Sequence, residues 1–338
     1  MSNPVIHNEK DGSEFVQQEG DTILRAALRA GVGLAYECNS GGCGGCKFEL
    51  LTGEIETLWP DAPGLSERDR KRGRHLACQC RALGAIGIKA STAPEYRPQI
   101  MPQRQRARLI GTHDITHDIR EFRFQADRDA NFLPGQFAML DLPGIDGARA
   151  YSVANTPNAQ REWHFQIRRV PHGKGTHLLF DKLSGGEEIG LDGPYGLAFL
   201  RTDVPRDIVC IAGGSGLAPM VSIARGAAAA GMLAERKLYF FYGARTPRDV
   251  CGETMLRTLE GCGDRIMYYP VVSLPGDNGE WHGKTGFVHD ALAHTLPEAL
   301  ANFEFYFAGP PPMTQALQEL LMIGHRVPFG QIHFDRFF

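Results

Sequence analysis

Cys38, Cys43 and Cys46 fall within ECNSGGCGGCK, spaced C-x4-C-x2-C, and Cys78 follows after 31 intervening residues in HLACQC. Four thiolates at C-x4-C-x2-C…C are the ligand set of a [2Fe–2S] cluster. A loop wrapping two irons and two sulfides must turn sharply, and the four interspersed glycines allow this while letting backbone N–H groups reach the sulfurs and tune the cluster. Structural zinc is the competing reading, but such sites ordinarily use two C-x2-C pairs and this loop has one. Cys80 competes with Cys78 for the fourth position; otherwise it reads as a small core or turn residue. Cys210, Cys251 and Cys262 show no ligand spacing and are expected to be buried thiols.

The flanks of the loop supply elements to hold it. GDTILRAALRAGV (20–32) has apolar residues at helical spacing, with Asp21 expected as N-cap and Gly31 past the end. KFELLTGEIETL (47–58) and AIGIKA (85–90) read as strands. STAPEYRPQIMPQRQR (91–106), with three prolines, reads as a linker. Across 338 residues the chain is 43% hydrophobic and 22% charged, which is globular composition for two or three domains. A net charge of -3 gives no electrostatic support for nucleic-acid binding. The polar N-terminus has no signal-peptide core, and no apolar run nears the ~20 residues of a membrane span. The expectation is a cytoplasmic protein whose cysteines serve metal or core rather than disulfides.

Beyond the linker, REFRFQA, QFAMLDL and WHFQIRRV alternate in polarity between Gly/Pro turns, the pattern of an antiparallel β-barrel. RAYSVAN (149–155) places an Arg able to grip a diphosphate, a flat Tyr and a Ser hydroxyl within four positions. PHGKGTHLL (171–179) offers amides at a helix start, where phosphates bind. From about 205 the pattern changes to strands alternating with helices, predicting a parallel α/β sheet with ligands at the strands' carboxyl ends. GGSGLAP (213–219) departs from G-x-G-x-x-G because Pro219 stands where the third glycine would be. FYGAR and GPPPM end later strands.

Taken together, YECNSGGCGGCK, LWPDAPGL, LACQC, LDGPYGL, IAGGSGLAPMVS and VPFGQIHFDRFF resemble the NAD(P)H-dependent reductase components of bacterial multicomponent oxygenases, and within them the toluene-4-monooxygenase type. The resemblance implies a multidomain α+β and α/β chain. Its parts are an N-terminal β-grasp ferredoxin (1–95), a linker (96–105), an antiparallel β-barrel flavin domain (106–203) and a C-terminal parallel α/β nicotinamide domain (204–338). It implies FAD, a [2Fe–2S] cluster and NADH, with NADPH less favoured. Cys38, Cys43, Cys46 and Cys78 would bind the cluster, Cys78 because ferredoxin-like sequences place the ligand at the end of LAC. Arg149 would hold the diphosphate, Tyr151 would pack on the flavin, and Ser152 would sit near its reactive nitrogen. Arg168 and Val170 would line the flavin site; Gly173, Gly175 and Thr176 would cover the diphosphate. Gly213, Gly214, Ser215, Gly216, Ala218 and Pro219, with Tyr242, Gly243, Arg245, Gly309 and Pro310, would hold the nicotinamide nucleotide. Phe337 or Phe338 would shield the flavin, with Asp335 as a polar neighbour; simple domain packing is the alternative for both aromatics.

The same resemblance implies that a hydride from NADH leaves as single electrons to a Rieske-type ferredoxin or oxygenase component, with the chain acting as a monomer. The basic run RDRKRGRH (68–75) would steer that partner, or else form a solvated helix face. A dioxygenase or phenol hydroxylase reductase is the runner-up, and a non-catalytic sensor is a reading of another class. Members usually carry Cys-Gly-Pro where this chain has Ala308-Gly309-Pro310.

Overall fold

The computed structural model describes residues 3–276, 281–296 and 299–337. It separates into two compact units. One comprises 1–104 with 139–150 and 191–197; the other comprises 105–138, 151–190 and 198–338.

The first unit opens with the antiparallel hairpin β1 (Val5–Asn8) and β2 (Ser13–Val16), followed by α1 (Ile23–Arg29). Then come β3 (Lys47–Thr52), β4 (Ile55–Thr57), α2 (Glu67–Lys71), β5 (Arg74–Leu76), β6 (Cys80–Ala82) and β7 (Ile86–Ala90). The sheet order is β2-β1-β7-β3-β5, with β1 and β7 parallel, and β4-β6 form a separate ribbon. Parallel neighbours require a crossing segment, and α1 lies on it with one buried face of Ile23, Leu24, Ala26, Ala27 and Leu28. This is the β-grasp arrangement expected.

Two expectations are corrected, one in each unit. Thr22, not Asp21, caps α1, its hydroxyl accepting from the Arg25 amide. Asp21 is fully buried and accepts instead from Arg29 Nε at 2.9 Å and from Arg104. Arg29 also donates to Asp192 at 2.7 Å, so a single guanidinium holds two buried carboxylates. Removing one member of a buried ion network strands the others without solvent. Arg29→Ala is therefore expected to lower stability by about 3 kcal/mol in urea unfolding, more than any exposed pair such as Arg81–Glu56. Secondly, of the three scattered cysteines only Cys210 is buried; Cys251 is half-buried and Cys262 is exposed. Cys262 lies in the turn region 258–265, and residue type alone does not reveal its exposure. The proline-rich stretch is not free at its start: Ala93 N–H donates to Gly33 and Ala35 N–H to Ser91, docking 91–93 on 33–35.

Six strands build the barrel sheet: β8 (Gln103–Asp114), β9 (Ile119–Ala126), β10 (Phe137–Asp141), β11 (Arg149–Ser152), β12 (Glu162–Arg168) and β13 (Glu188–Tyr195), in the order β11-β10-β13-β8-β9-β12. β9 pairs antiparallel with both β8 and β12. Alternation along β9 sends Phe122 and Phe124 inward to meet Trp163 and Phe165, the hydrophobic-in, polar-out pattern read from the sequence. Helix α3 (Lys174–Asp181) follows β12.

The last part is a parallel sheet of order β17-β16-β15-β14-β18-β19. Its strands are β14 (Asp207–Gly213), β15 (Leu238–Ala244), β16 (Ile266–Val272), β17 (Lys284–Thr285), β18 (Phe303–Gly309) and β19 (Ile332–Arg336). Helices α4 (Leu217–Ala229), α5 (Glu253–Arg257), α6 (Val288–Thr295) and α7 (Pro311–Gln318) connect them. β14 is buried at six of its seven residues, as a central strand covered on both faces must be. No helix among the described residues is long and apolar enough to cross a membrane.

Candidate active site

In the first unit, the thiols of Cys38 and Cys43 lie close enough to perturb each other, as do those of Cys46 and Cys78, and Cys38 also acts on Cys78. Backbone amides turn onto these sulfurs: Ser40 and Cys43 N–H donate to Cys38 Sγ at 3.5 and 3.4 Å, and Gly45 N–H to Cys43 Sγ at 3.3 Å. The neighbouring Cys43 draws the Cys38 thiol down to about 5, and Cys38 holds Cys43 up. The neighbouring Cys46, with complete burial, pushes Cys78 up. Cys80 faces elsewhere, its Sγ 3.8 Å from Thr57 Oγ1, and burial raises it to about 11.

The loop is locked by close backbone approach. Gly64 N–H donates to Gly41 at 2.9 Å, and a Cβ on Gly44, whose φ is +74°, would lie 2.5 Å from the Gly64 carbonyl oxygen. LWPDAPGL thus braces the cysteine loop. Asn39 is buried, and neither side-chain polar atom has a partner among the described residues. Buried polar groups are rarely left so. An orphaned amide, four converging thiols and amides aimed at sulfur fit an iron–sulfur group.

In the second unit, β11 ends with half-buried Tyr151 and buried Ser152, and Val153 just beyond them bridges to Phe165 of β12. Residues that sequence reasoning missed hold this strand end from α4. Ser222 donates to the Asn155 carbonyl at 2.7 Å and accepts from Gly135 N–H, and Arg225 donates to the Ala154 carbonyl at 2.8 Å. The available signal was polar Ser222 and Arg225 in an otherwise small and apolar helix. The turn after β12 closes on itself: Thr176 Oγ accepts from Val170 N–H and donates to the Gly173 carbonyl. Gly175 is buried and Val170 is exposed. Neither α3 nor the Gly214–Gly216 turn before α4 has a side-chain cap, so their first N–H groups are open to an anion. Arg168 lies at this place, bonded to Asp118 at 2.7 Å and reaching to Gly214. Arg149, in the first unit, donates to the carbonyls of Asp146 and Gly147.

At the carboxyl ends of β14, β15 and β18 the expected nucleotide residues gather. A Cβ on Gly216 would lie 1.9 Å from the Ala308 carbonyl oxygen, so the turn and the end of β18 touch through backbone alone. Gly213 lies against the side chains of Met313 and Pro310. Ala218 and Pro219 are buried in the first turn of α4. Tyr242 is buried too, and its hydroxyl donates to the Gly214 carbonyl, supporting the turn from beneath. Gly243 is half-buried, Arg245 is exposed, and Ser215 is half-exposed on the turn. Asp335 is buried and pairs in register with Ala308, and Gly309 accepts from Phe337 N–H at 3.0 Å. Phe337 packs partly against the α/β core. Phe338 lies outside the described residues. These open helix starts and backbone-only contacts fit a diphosphate and a nucleotide.

The loop after β15 is held by Asp249, which accepts from Thr246 N–H and Oγ at 2.9 and 2.7 Å. Partial burial works against its charge, but those bonds keep the carboxyl below its ordinary range. His117 sits 3.0 Å from Arg248 and 3.7 Å from Asp249, a bridge unforeseen because 131 residues separate His117 from Arg248.

A 2Fe-2S iron-sulfur cluster binding domain matches residues 6–83, an oxidoreductase FAD-binding domain 106–199, and an oxidoreductase NAD-binding domain 210–319. The ferredoxin–NAD(P)+ reductase CarAd of Metapseudomonas resinovorans is 43% identical over 323 residues, covering 94% of this chain and 95% of that protein. The ferredoxin–NAD+ reductase component of the alkene monooxygenase system of Xanthobacter autotrophicus is 40% identical over 330 residues, covering 97% and 98%. The solved ferredoxin reductase in carbazole 1,9a-dioxygenase matches with a TM-score of 0.91 and 39% identity, over 99% of this chain and 98% of that one. With thiol loop, barrel and nucleotide sheet all present, the chain belongs to the ferredoxin–NAD(P)+ reductases, oxidoreductases with iron–sulfur, flavin and nicotinamide domains whose members include the reductase components of multicomponent oxygenases.

Proposed function

We propose that this chain oxidises NADH and delivers the electrons singly to a Rieske-type ferredoxin serving a soluble diiron monooxygenase of the toluene monooxygenase type. It would do so as a monomer in the cytoplasm, through domains at 1–95, 106–203 and 204–338 joined by 96–105. The observation that carries the reading is the gathering of four thiols under backbone amides in a chain that also has a nucleotide turn. A protein that only moved hydrides would have no use for the thiols. When bound, FAD takes two electrons as hydride and releases them one at a time, and the cluster carries single electrons.

The chain's own part is positional. Cys38, Cys43, Cys46 and Cys78 hold the cluster. Arg149 and the amides of Gly173, Gly175 and Thr176 take the diphosphate, with Arg168 and Val170 lining the site. Tyr151 lies on the flavin ring and Ser152 donates at its edge. The residues from Gly213 to Pro219, with Gly243, Arg245, Gly309 and Pro310, seat the nicotinamide nucleotide, and Tyr242 braces them. Phe337 or Phe338 covers the ring and excludes water, with Asp335 beside it.

A second reading has support of its own. The solved structure at TM-score 0.91, a ferredoxin reductase in carbazole 1,9a-dioxygenase, favours a ring-hydroxylating dioxygenase system. Anaerobic titration with NADH should bleach the flavin bands and raise a rhombic EPR signal. Flavin bleaching without that signal would sink the cluster assignment, and silence towards NADH would sink the hydride step. Turnover with Rieske ferredoxins from both kinds of system then separates the two readings.

The NADH preference comes from the family resemblance, and Asp249 is the residue that would enforce it, its charge opposing a 2′-phosphate while Arg248 is engaged by His117. Like charges in contact cost enough that Asp249→Asn should raise the NADPH-to-NADH ratio of kcat/KM by roughly tenfold or more. An unchanged ratio would place the 2′ position elsewhere.

A further inference from the structure

The turn that braces the cysteine loop carries an aromatic that the reductase chemistry leaves without a task. Trp59 is 44% exposed and Leu58 beside it is 39% exposed. The ring of Trp59 is not loose. A Cβ on Gly41 would meet its Cε3 at 3.1 Å and Gln79 Cγ at 3.3 Å, so one face lies on the loop between Cys38 and Cys43. Gln79 in turn donates to Cys78 Sγ at 3.6 Å, and its carbonyl accepts from Leu58 N–H. One side of the indole therefore rests on the backbone of the four-thiol site while the other meets solvent.

The exposed charge of this segment is mainly basic, with Asp61 and Glu67 as its exposed acids. Residues 59–75 hold five bases and three acids, in a chain whose net charge is -3. Asp69 is buried and already engaged by Lys47 and Arg74. Arg68, Arg70, Lys71 and Arg72 are exposed, and Arg70 is tied to this turn through the Ala62 carbonyl. A rigid, half-exposed Trp within a charged rim is the composition of an interface hot spot.

We propose that Trp59 and Leu58, rimmed by Arg68, Arg70, Lys71 and Arg72, are the docking surface for an acidic electron-transfer protein, which takes its electron across the Trp59 face. This rests on the ferredoxin-acceptor reading above and adds to it the place and chemistry of contact. The balance is NADH plus two oxidised partners giving NAD+, a proton and two partners each reduced by one electron.

The test uses the full holo-protein with an acidic Rieske ferredoxin and with ferricyanide as acceptors. Trp59→Ala should lower kcat/KM for the ferredoxin by about tenfold or more while ferricyanide reduction stays within about twofold, Trp59→Phe recovering most of the loss. The double variant Arg68→Glu/Lys71→Glu, away from the loop packing, should weaken ferredoxin reduction and flatten its dependence on ionic strength. An equal fall with both acceptors, or loss of the reduced-cluster EPR signal, would make Trp59 only a cover for the loop and overturn the proposal. No change with either acceptor would do the same, as would a sedimenting dimer that Trp59→Ala dissociates. Wild-type protein that reduces ferricyanide but not the ferredoxin would overturn the acceptor reading, and the docking surface with it.

Discussion

Gly216→Ala is expected to cut NADH-driven reduction by about 100-fold or more, because an ångström of misplacement near reacting groups costs that much. The added Cβ would fall 1.9 Å from the Ala308 carbonyl oxygen and 2.5 Å from its carbon. Both are far inside the ~3.5 Å at which non-bonded carbons rest. Neither neighbour is a side chain that can swing away. Gly216 sits in the turn ahead of α4, and Ala308 is paired within β18 between β14 and β19. The strain must move the turn that seats the nucleotide or the strand end beneath it. Flavin absorbance and the dithionite-reduced cluster signal should persist, since the barrel and the cysteine loop are untouched. A variant that keeps NADH turnover within about threefold would show that this contact does not set the nucleotide's position. The same geometry gives Ala308 a role that does not depend on a thiol: its backbone makes the contact.

Cys78→Ser is expected to abolish the reduced-cluster EPR signal and to lower protein-acceptor reduction by at least roughly 100-fold, a metal ligand mattering more than the partners around it. Cys80→Ser should leave both nearly intact. The two cysteines are separated by a single residue, yet their sulfurs have different company. Cys78 lies by Cys46 and is acted on by it and by Cys38, whereas Cys80 lies against Thr57 on the β4–β6 ribbon. NADH oxidation with ferricyanide should survive Cys78→Ser, because the nucleotide turn and strands β9 and β12 of the barrel lie in the other unit. Iron analysis and EPR on the two variants decide it, and the reverse outcome would move the fourth ligand to Cys80.

Much of this protein is legible in its sequence because the relevant geometry is local. Cys38, Cys43 and Cys46 lie within nine residues, so covalent spacing alone brings their thiols near one another. The alternation of β9 and the strand–glycine–helix order of 207–229 are likewise short-range patterns, with burial following the backbone period. The tertiary structure decided what depends on distant chain. Asp21 has the right side chain for a helix cap, but Arg29 and Arg104 claim it and Thr22 takes its place. Cys262 is exposed in its turn region, which residue type does not reveal. His117 meets Arg248, and Ser222 and Arg225 hold the Asn155 and Ala154 carbonyls, across spans no periodicity records. Sequence alone thus determined which chemistry this chain carries, since ligand spacing and strand order are written along the backbone. Only folding determined which side chains hold that chemistry in place, because buried charge and close backbone contact are satisfied by whatever the topology brings alongside.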